Sequence, residues 1–331
     1  MDRDAGGNRR MKTRHPALRI AVRTVSLAFL AVVAFLIVRY ARAVDWGQVR
    51  TAILGYTRGR LALAGLLTAA SYLLYCGYDI AARHYSGHDL QRRHILPIVF
   101  VSYALSMNIG AVLGGAGFRL RLYTRSGLSL GLITRIIFFS TTTNWVGYLL
   151  LAGILFARRT LPMPAGWPFS GIGLQAIGIA MLCVLAAYLV ACRLTHGRVF
   201  HVRGHHVRLP SVHVALLQIA MATGNWMLMA GIMYVLMPNT VGYPVVLTVL
   251  LLGAVAAAAV HVPAGIGVME AVFVALLGDL APRTEVLAAV LTYRAFYYLL
   301  PLVVAMLVYL GLELRRRPPP GVAVQASDQN R

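Results

Sequence analysis

Eight continuous apolar runs limit what this chain can become: Thr24–Val38, Leu61–Ile80, Ile95–Leu113, Leu130–Ala157, Gly171–Ala191, Val214–Met237, Val245–Val260 and Val286–Leu312. Most are long enough to cross a bilayer as a helix. Their apolar residues are continuous, not alternating, which argues against a β-barrel. In hydrocarbon every backbone polar group must find its partner within the protein, which leaves helices as the spanning element. The composition agrees: 59% hydrophobic, 12% charged, mean hydropathy +0.71. The expected fold is an all-α polytopic membrane protein of about eight transmembrane helices.

Two stretches break that pattern at membrane depth. Val260 to Gly278 reads VHVPAGIGVMEAVFVALLG and holds Pro263, Gly265 and Gly267, then Glu270, one of three glutamates in the chain. Gly110 to Gly127 reads GAVLGGAGFRLRLYTRSG and holds Gly114, Gly115 and Gly117, followed by Arg119, Arg121, Tyr123 and Arg125. Proline removes a backbone donor and glycine weakens a helix, so both stretches are expected to interrupt helices. Irregular backbone inside a membrane survives only where it is buried in protein or lines a wet cavity. An ionisable residue there is a functional-site candidate.

The net charge of +21 comes almost wholly from arginine, Lys12 being the lone lysine. The arginines cluster at the ends of apolar runs, a pattern that points to anionic lipid headgroups and not to nucleic acid. Residues 1–19 form a basic cytoplasmic segment, 20–314 the membrane domain, and 315–331 a basic, proline-rich cytoplasmic tail expected to be disordered. The run from Thr24 reads as an uncleaved first span, although Ala41-Arg42-Ala43 resembles a cleavage site. Loop 39–60, with Asp45, Trp46 and five arginines, is too basic for an external loop; an interfacial helix would resolve that.

Parity of crossing adds a constraint. Loop 83–94, loop 193–212 and the Arg315–Arg317 cluster are basic and read as cytoplasmic. Three apolar runs separate each successive pair of these anchors, and an odd number of crossings cannot return to the same side. One segment in each half therefore does not cross simply, and each half holds one glycine-rich break. The economical solution is two pseudo-repeats, each with a re-entrant segment at its break. Paired interrupted helices are the sequence pointer to a transporter site.

The chemistry at the breaks favours an anionic headgroup. Arginine offers a fork of donors matched to phosphate oxygens and keeps its charge when buried. Helix N-termini at a break add amides and a positive dipole end. Glu270 has three candidate partners: Arg294, Arg119, or the amine of a cationic headgroup. A buried pair that serves packing alone is the competing reading. Arg135 either snorkels from the start of its run or faces a cavity. Asp79, four residues before Arg83, reads as a cap on a span end, with a proton relay as the alternative. The patch Ser140 to Asn144 reads as ordinary helix packing.

Enzyme signatures do not hold up. Gly127-Leu128-Ser129-Leu130-Gly131 fits G-x-S-x-G without its strand–turn–helix context, so Ser129 is expected to cap a helix. His196, His201, His205 and His206 lie in a basic loop with no carboxylate nearby, so a solvated loop is expected and not a metal site. Cys76, Cys183 and Cys192 are expected to be reduced, buried thiols. No enzyme activity, cofactor or metal is expected.

PAGIGVMEAVFVALL followed by YRAFYYLLPLVVA, with NIGAVLGGAGFRLRLYTRSGLS upstream, resembles the lysylphosphatidylglycerol synthetase/flippase transmembrane family, which also holds YbhN-type inner-membrane proteins. The resemblance spans roughly residues 20–315. It implies a membrane domain that moves a phospholipid, aminoacylated or anionic, across the cytoplasmic membrane. The family's synthase domain is not expected here, because the sequence stops after its last span. The residues it points to are Gly114, Gly115, Gly117, Arg119, Arg121, Pro263, Gly265, Gly267, Glu270, Arg294 and Tyr298. Membrane phospholipids are the expected partner, with a separately encoded lipid-modifying enzyme as a second. The termini are expected in the cytoplasm of a bacterial inner-membrane protein. The alternatives are an ion-coupled small-anion transporter and a non-transporting membrane subunit.

Overall fold

The computed structural model describes residues 47, 50–51, 54–161, 171–195, 199–202, 205–260 and 263–314. The expected N-terminal segment, first span and C-terminal tail, and most of loop 39–60, lie outside these residues.

The described chain is helical apart from one small hairpin. Helix α1 spans Arg58–Ser86; α2 spans Arg92–Ile109 and leads into a π-helical turn, Ala111–Gly117, continuous with α3, Phe118–Arg125. Helices α4 (Leu130–Ala157) and α5 (Gly171–Leu194) precede strands β1 (Val199–Val202) and β2 (His205–Arg208). Then come α6 (Val212–Leu236) and α7 (Tyr243–Val260), a 3₁₀ turn at Pro263–Gly265, and α8 (Val268–Leu277). The last long helix runs from α9 (Arg283–Arg294) through a π-helical turn (Ala295–Leu299) into α10 (Leu300–Leu314). Loop 193–212, read as a solvated basic loop, contains the antiparallel hairpin, with Val199 opposite Arg208.

Local sequence explains several ends. Thr57 caps α1 by accepting from the Arg60 amide, and Gly87 closes it at φ 70°. Ser211 caps α6 by accepting from the Val214 amide. Ser129 does occupy the N-cap of α4, but its side chain makes no capping bond.

Among the described residues six helices are long and apolar enough to cross a membrane: Arg58–Ser86, Leu130–Ala157, Gly171–Leu194, Val212–Leu236, Tyr243–Val260 and Arg283–Leu314. The third expected run became α2 and part of the first π-helical turn and is not one of these six. Outward faces carry large apolar side chains, such as Leu66, Leu73, Phe138, Ile172 and Leu307, all exposed. Water would penalise such a belt, whereas lipid does not. The chain is a multi-pass membrane protein. Cys76 and Cys192 are buried as expected, but Cys183 is exposed, because it sits on the outer face of α5, where little of the helix is covered.

Helices approach closely where small residues meet. Gly147 of α4 lies against Ala222 of α6, and Gly178 of α5 against the α4 backbone at Gly153 and Ala157. A side chain at either glycine would collide with its neighbour, the small-residue logic of helix packing in lipid. Helix α1 packs on α2, α4 and α6, and α2 also packs on α10. Helix α2 touches the 3₁₀ turn at Pro263–Gly265 as well. The helix that leads into the first break thus lies against the second.

Candidate functional site

The two breaks differ in backbone. In the first, the departure from helix is at Gly110, with φ 106° and ψ 159°, a region essentially reserved for glycine. Gly114, Gly115 and Gly117 were expected to break the helix, but they lie inside the π-helical turn, and Gly117 has ordinary helical angles. Two of them serve close approach: a Cβ on Gly114 would strike the Leu105 backbone, and one on Gly115 would lie 2.8 Å from Ser106 Oγ. The turn therefore packs back against α2. The second break follows the sequence reading. Ala264, Gly265 and Gly267 have φ of 56°, 59° and 79°, and Pro263 opens the 3₁₀ turn.

Each break carries an arginine–carboxylate pair. Near the first, Arg119 Nη2 lies 3.1 Å from Asp79 Oδ1, with both side chains buried. Tyr123 O–H donates to Asp79 Oδ2 at 2.8 Å, and Ser140 O–H donates to Oδ1 at 2.5 Å. The guanidinium also sits over the Tyr75 ring, 5.5 Å from its centroid. Asp79 is therefore not a cap paired with Arg83. It is fully buried, and a buried carboxylate that carries its charge needs a cation beside it. Arg83 instead donates from Nε to the His88 carbonyl at 3.3 Å. In the loop after α1, burial and the Arg83 charge hold the His88 imidazole below its ordinary value.

At the second break Arg294 meets Glu270, Nε to Oε1 at 2.5 Å and Nη2 to Oε2 at 2.9 Å. Arg294 also donates from Nη1 to the Ala264 carbonyl at 3.0 Å and from Nη2 to the Gly265 carbonyl at 2.8 Å. The Gly267 amide donates to Glu270 Oε2 at 2.9 Å. Of the three partners expected for Glu270, Arg294 is the one in place. The amide at the start of α8, expected to be open to an anion, is occupied by the chain's own carboxylate. Tyr298 lies beneath Arg294, 5.6 Å from ring centroid to guanidinium.

A buried aromatic and hydroxyl stripe joins the pairs. Tyr75 stacks on Tyr103 at 3.5 Å, and the hydroxyls of Tyr103 and Tyr297 are 2.8 Å apart. Ser71 Oγ lies 2.8 Å from the Tyr297 hydroxyl and donates to Asn225 Oδ1 at 2.7 Å. Tyr293 stacks on Tyr297 at 5.3 Å, and Tyr298 meets both. Asn108 Nδ2 donates to the Tyr298 carbonyl at 3.2 Å, tying the end of α2 to the second π-helical turn. That turn follows Arg294 and contains Tyr297 and Tyr298, and π-bulges of this kind recur at functional sites.

The other candidates fall elsewhere. Arg121 and Arg125 face Glu313 of α10 at 3.9 and 2.9 Å, in a more exposed cluster with Tyr309. Arg135 is exposed on α4 and enters neither pair. Sequence reading passed over Tyr123 and Ser140 as partners of Asp79. Ser140 belonged to a patch read as helix packing, and that reading still fits Thr143, which accepts from Gln218 Nε2 at 2.8 Å. Asp79 stands out in the sequence as the only carboxylate within the apolar run Leu61–Ile80, but its pairing with Arg119 does not.

The family model for the Lysylphosphatidylglycerol synthase TM region matches residues 24–305. Inner membrane protein YbhN of Escherichia coli (strain K12) is 41% identical over 304 residues, covering 92% of this chain and 96% of that protein. Uncharacterized protein slr0712 of Synechocystis sp. is 33% identical over 272 residues, covering 81% and 84% respectively.

Proposed function

The chain belongs to the family of the lysylphosphatidylglycerol synthase transmembrane region, and from that premise we propose that it is a lipid translocase of a bacterial inner membrane. Its substrate is a phospholipid with an anionic or aminoacylated headgroup. The observation that carries this reading is the pair of arginine–carboxylate centres, one at each break, joined by a buried polar and aromatic stripe. Charged groups at membrane depth are expensive and mark transport pathways. A phosphate matches the donor fork of a guanidinium.

The two breaks act as re-entrant segments of two pseudo-repeats, in a membrane domain of about eight spans with both termini in the cytoplasm. Arg119 takes the phosphate when the helices separate, while acyl tails remain in lipid along the apolar outer faces. Glu270 and Arg294 keep the second turn in the shape that lines the path. Arg121 and Arg125, more exposed, receive the headgroup at the membrane surface. Catalysis of a covalent step is not part of this reading. A separately encoded lipid-modifying enzyme supplies or consumes the lipid.

The test is translocation in proteoliposomes with fluorescent phosphatidylglycerol and phosphatidylethanolamine. Wild-type protein is expected to move at least one lipid, with Arg119→Ala inactive and Glu270→Gln impaired when equal amounts of folded protein are reconstituted. Folded wild-type protein that moves neither lipid would overturn the reading. Unchanged transport in both variants would overturn the site.

A further inference from the structure

We propose that Asp79 is a proton-binding site: it takes up a proton from water when a phosphate headgroup engages Arg119, so that lipid movement is coupled to protons. This rests on the translocase reading and adds the coupling ion to the same site.

The argument begins with charge. Arg119 and Asp79 are both buried, and their charges cancel. A phosphate oxygen brought to Arg119 would leave two anions facing one cation in a low-dielectric site. Like charges there force one group to stay neutral. The phosphodiester of a lipid is a far stronger acid than a carboxylic acid, so Asp79 is the group that takes the proton. One O–H bond forms on the Asp79 carboxyl, Arg119 keeps its charge, and the site remains neutral overall.

Hydrogen bonding makes this specific to Asp79. Besides Arg119, its partners are the hydroxyls of Tyr123 and Ser140. A hydroxyl can accept as well as donate. Either one can therefore turn to receive the carboxylic O–H, and the neutral acid is still satisfied after Arg119 leaves. Glu270 is built the other way. The partners described for it are the Gly267 amide and the Arg294 guanidinium, and both are donors only. A proton on Glu270 would face N–H groups, and no partner described there could receive it.

The remaining charged and titratable groups around Asp79 fit the assignment. Helix α1 contributes Tyr75, Cys76 and Arg83; α3 contributes Arg119 and Tyr123; α4 contributes the Ser140 hydroxyl; the loop after α1 contributes His88. None of them is a second carboxylate. His88 is already biased toward its neutral form by burial and Arg83.

The experiment is calorimetric titration of the detergent-solubilised full chain with dihexanoyl phosphatidylglycerol, in two buffers of different ionisation enthalpy at one pH. Inorganic phosphate is titrated in parallel to separate a lipid headgroup from a free anion as the ligand. Wild type is expected to take up about one proton per headgroup bound, by linkage. Infrared difference spectra should then show a new carboxylic-acid band. In Asp79→Asn both the proton uptake and the band should vanish, and in Asp79→Glu both should persist. Binding by wild type with no buffer dependence overturns the coupling while leaving the translocase reading in place. Proton uptake by Asp79→Asn equal to wild type overturns the residue assignment. Should wild type bind neither probe, the translocase reading falls and this inference with it. Phosphate acting as well as the lipid would make the coupled substrate a small anion and overturn the lipid part.

Discussion

The two glycine-rich breaks hold the same kind of ion pair in opposite ways. At the second, Arg294 divides its donors between Glu270 and two carbonyls of the turn, and Glu270 closes on the Gly267 amide. The pair is part of the backbone's own hydrogen bonding and fixes a turn with three positive-φ residues, Ala264, Gly265 and Gly267. At the first, the backbone is kept by Gly110 and by close packing of Gly114 on α2. Arg119 and Asp79 make no such backbone bonds among the described contacts; they meet across helices α3 and α1, with side-chain hydroxyls around them. An arginine whose bonds hold a turn cannot release them without losing the turn. An arginine paired only with side chains can exchange one anion for another. The comparison assigns holding to the second break and exchange to the first.

The largest expected effect tests the first pair. Arg119→Ala leaves Asp79 buried without its cation, a loss of about 3–5 kcal/mol in stability. Thermal unfolding in detergent should show it. Adding Asp79→Asn to that variant should recover a large part of the loss, because it removes the unpaired charge; no recovery would mean the pair is not a unit.

Glu270→Gln comes next. Arg294 keeps its two carbonyl bonds, so the cost is smaller, about 1.5–3 kcal/mol, in the range for a hydrogen bond to a charged group. The distinguishing readout is amide hydrogen exchange. Exchange should rise at the amide of Gly267 and through the start of α8 in this variant. In Arg119→Ala the turn at Ala111–Gly117 should stay protected. Equal loosening of both turns would erase the difference between the breaks.

The stripe between the pairs offers a finer test. Tyr103→Phe removes one hydroxyl from the contact with Tyr297 and should cost about 1 kcal/mol. The stacking of Tyr75 on ring 103 is retained, so a thermal shift without loss of Arg119-dependent headgroup binding is expected. Loss of binding as large as in Arg119→Ala would show that the hydroxyl, and not the arginine, defines the site.

Smallest of all is Arg125→Ala. Its pair with Glu313 is about one-third exposed on both sides, and such pairs contribute roughly 0–1 kcal/mol. Stability should barely move, while binding to vesicles containing phosphatidylglycerol weakens, the more so at low salt. A stability loss comparable to that of Arg119→Ala would place this cluster in the core and not at a headgroup surface.

Much of this is legible in the sequence. Helices of membrane length follow from apolar runs because lipid leaves the backbone no other solution. The second break was readable because proline, glycine and a following glutamate act over a few residues, and Glu270 lies only 24 residues from the arginine it meets. The first break was misplaced by a few positions. Its glycines looked alike in the sequence, yet Gly110 supplies backbone freedom while Gly114 supplies room against Leu105. Local sequence does not separate those two uses of glycine, because the second depends on what lies opposite.

By itself, then, the sequence determined a multi-pass helical membrane protein with two interruptions and arginines beside them, since hydrophobicity and backbone propensity act locally along the chain. Only the tertiary structure decided that Asp79 belongs to Arg119 and Ser140, 40 and 61 residues away, and that tyrosines from α1, α2 and the last helix form one stripe. Those pairings depend on how helices rotate and cross when small residues let them approach. The low-dielectric interior then makes an unpaired charge so costly that a carboxylate and a guanidinium distant in sequence are buried together.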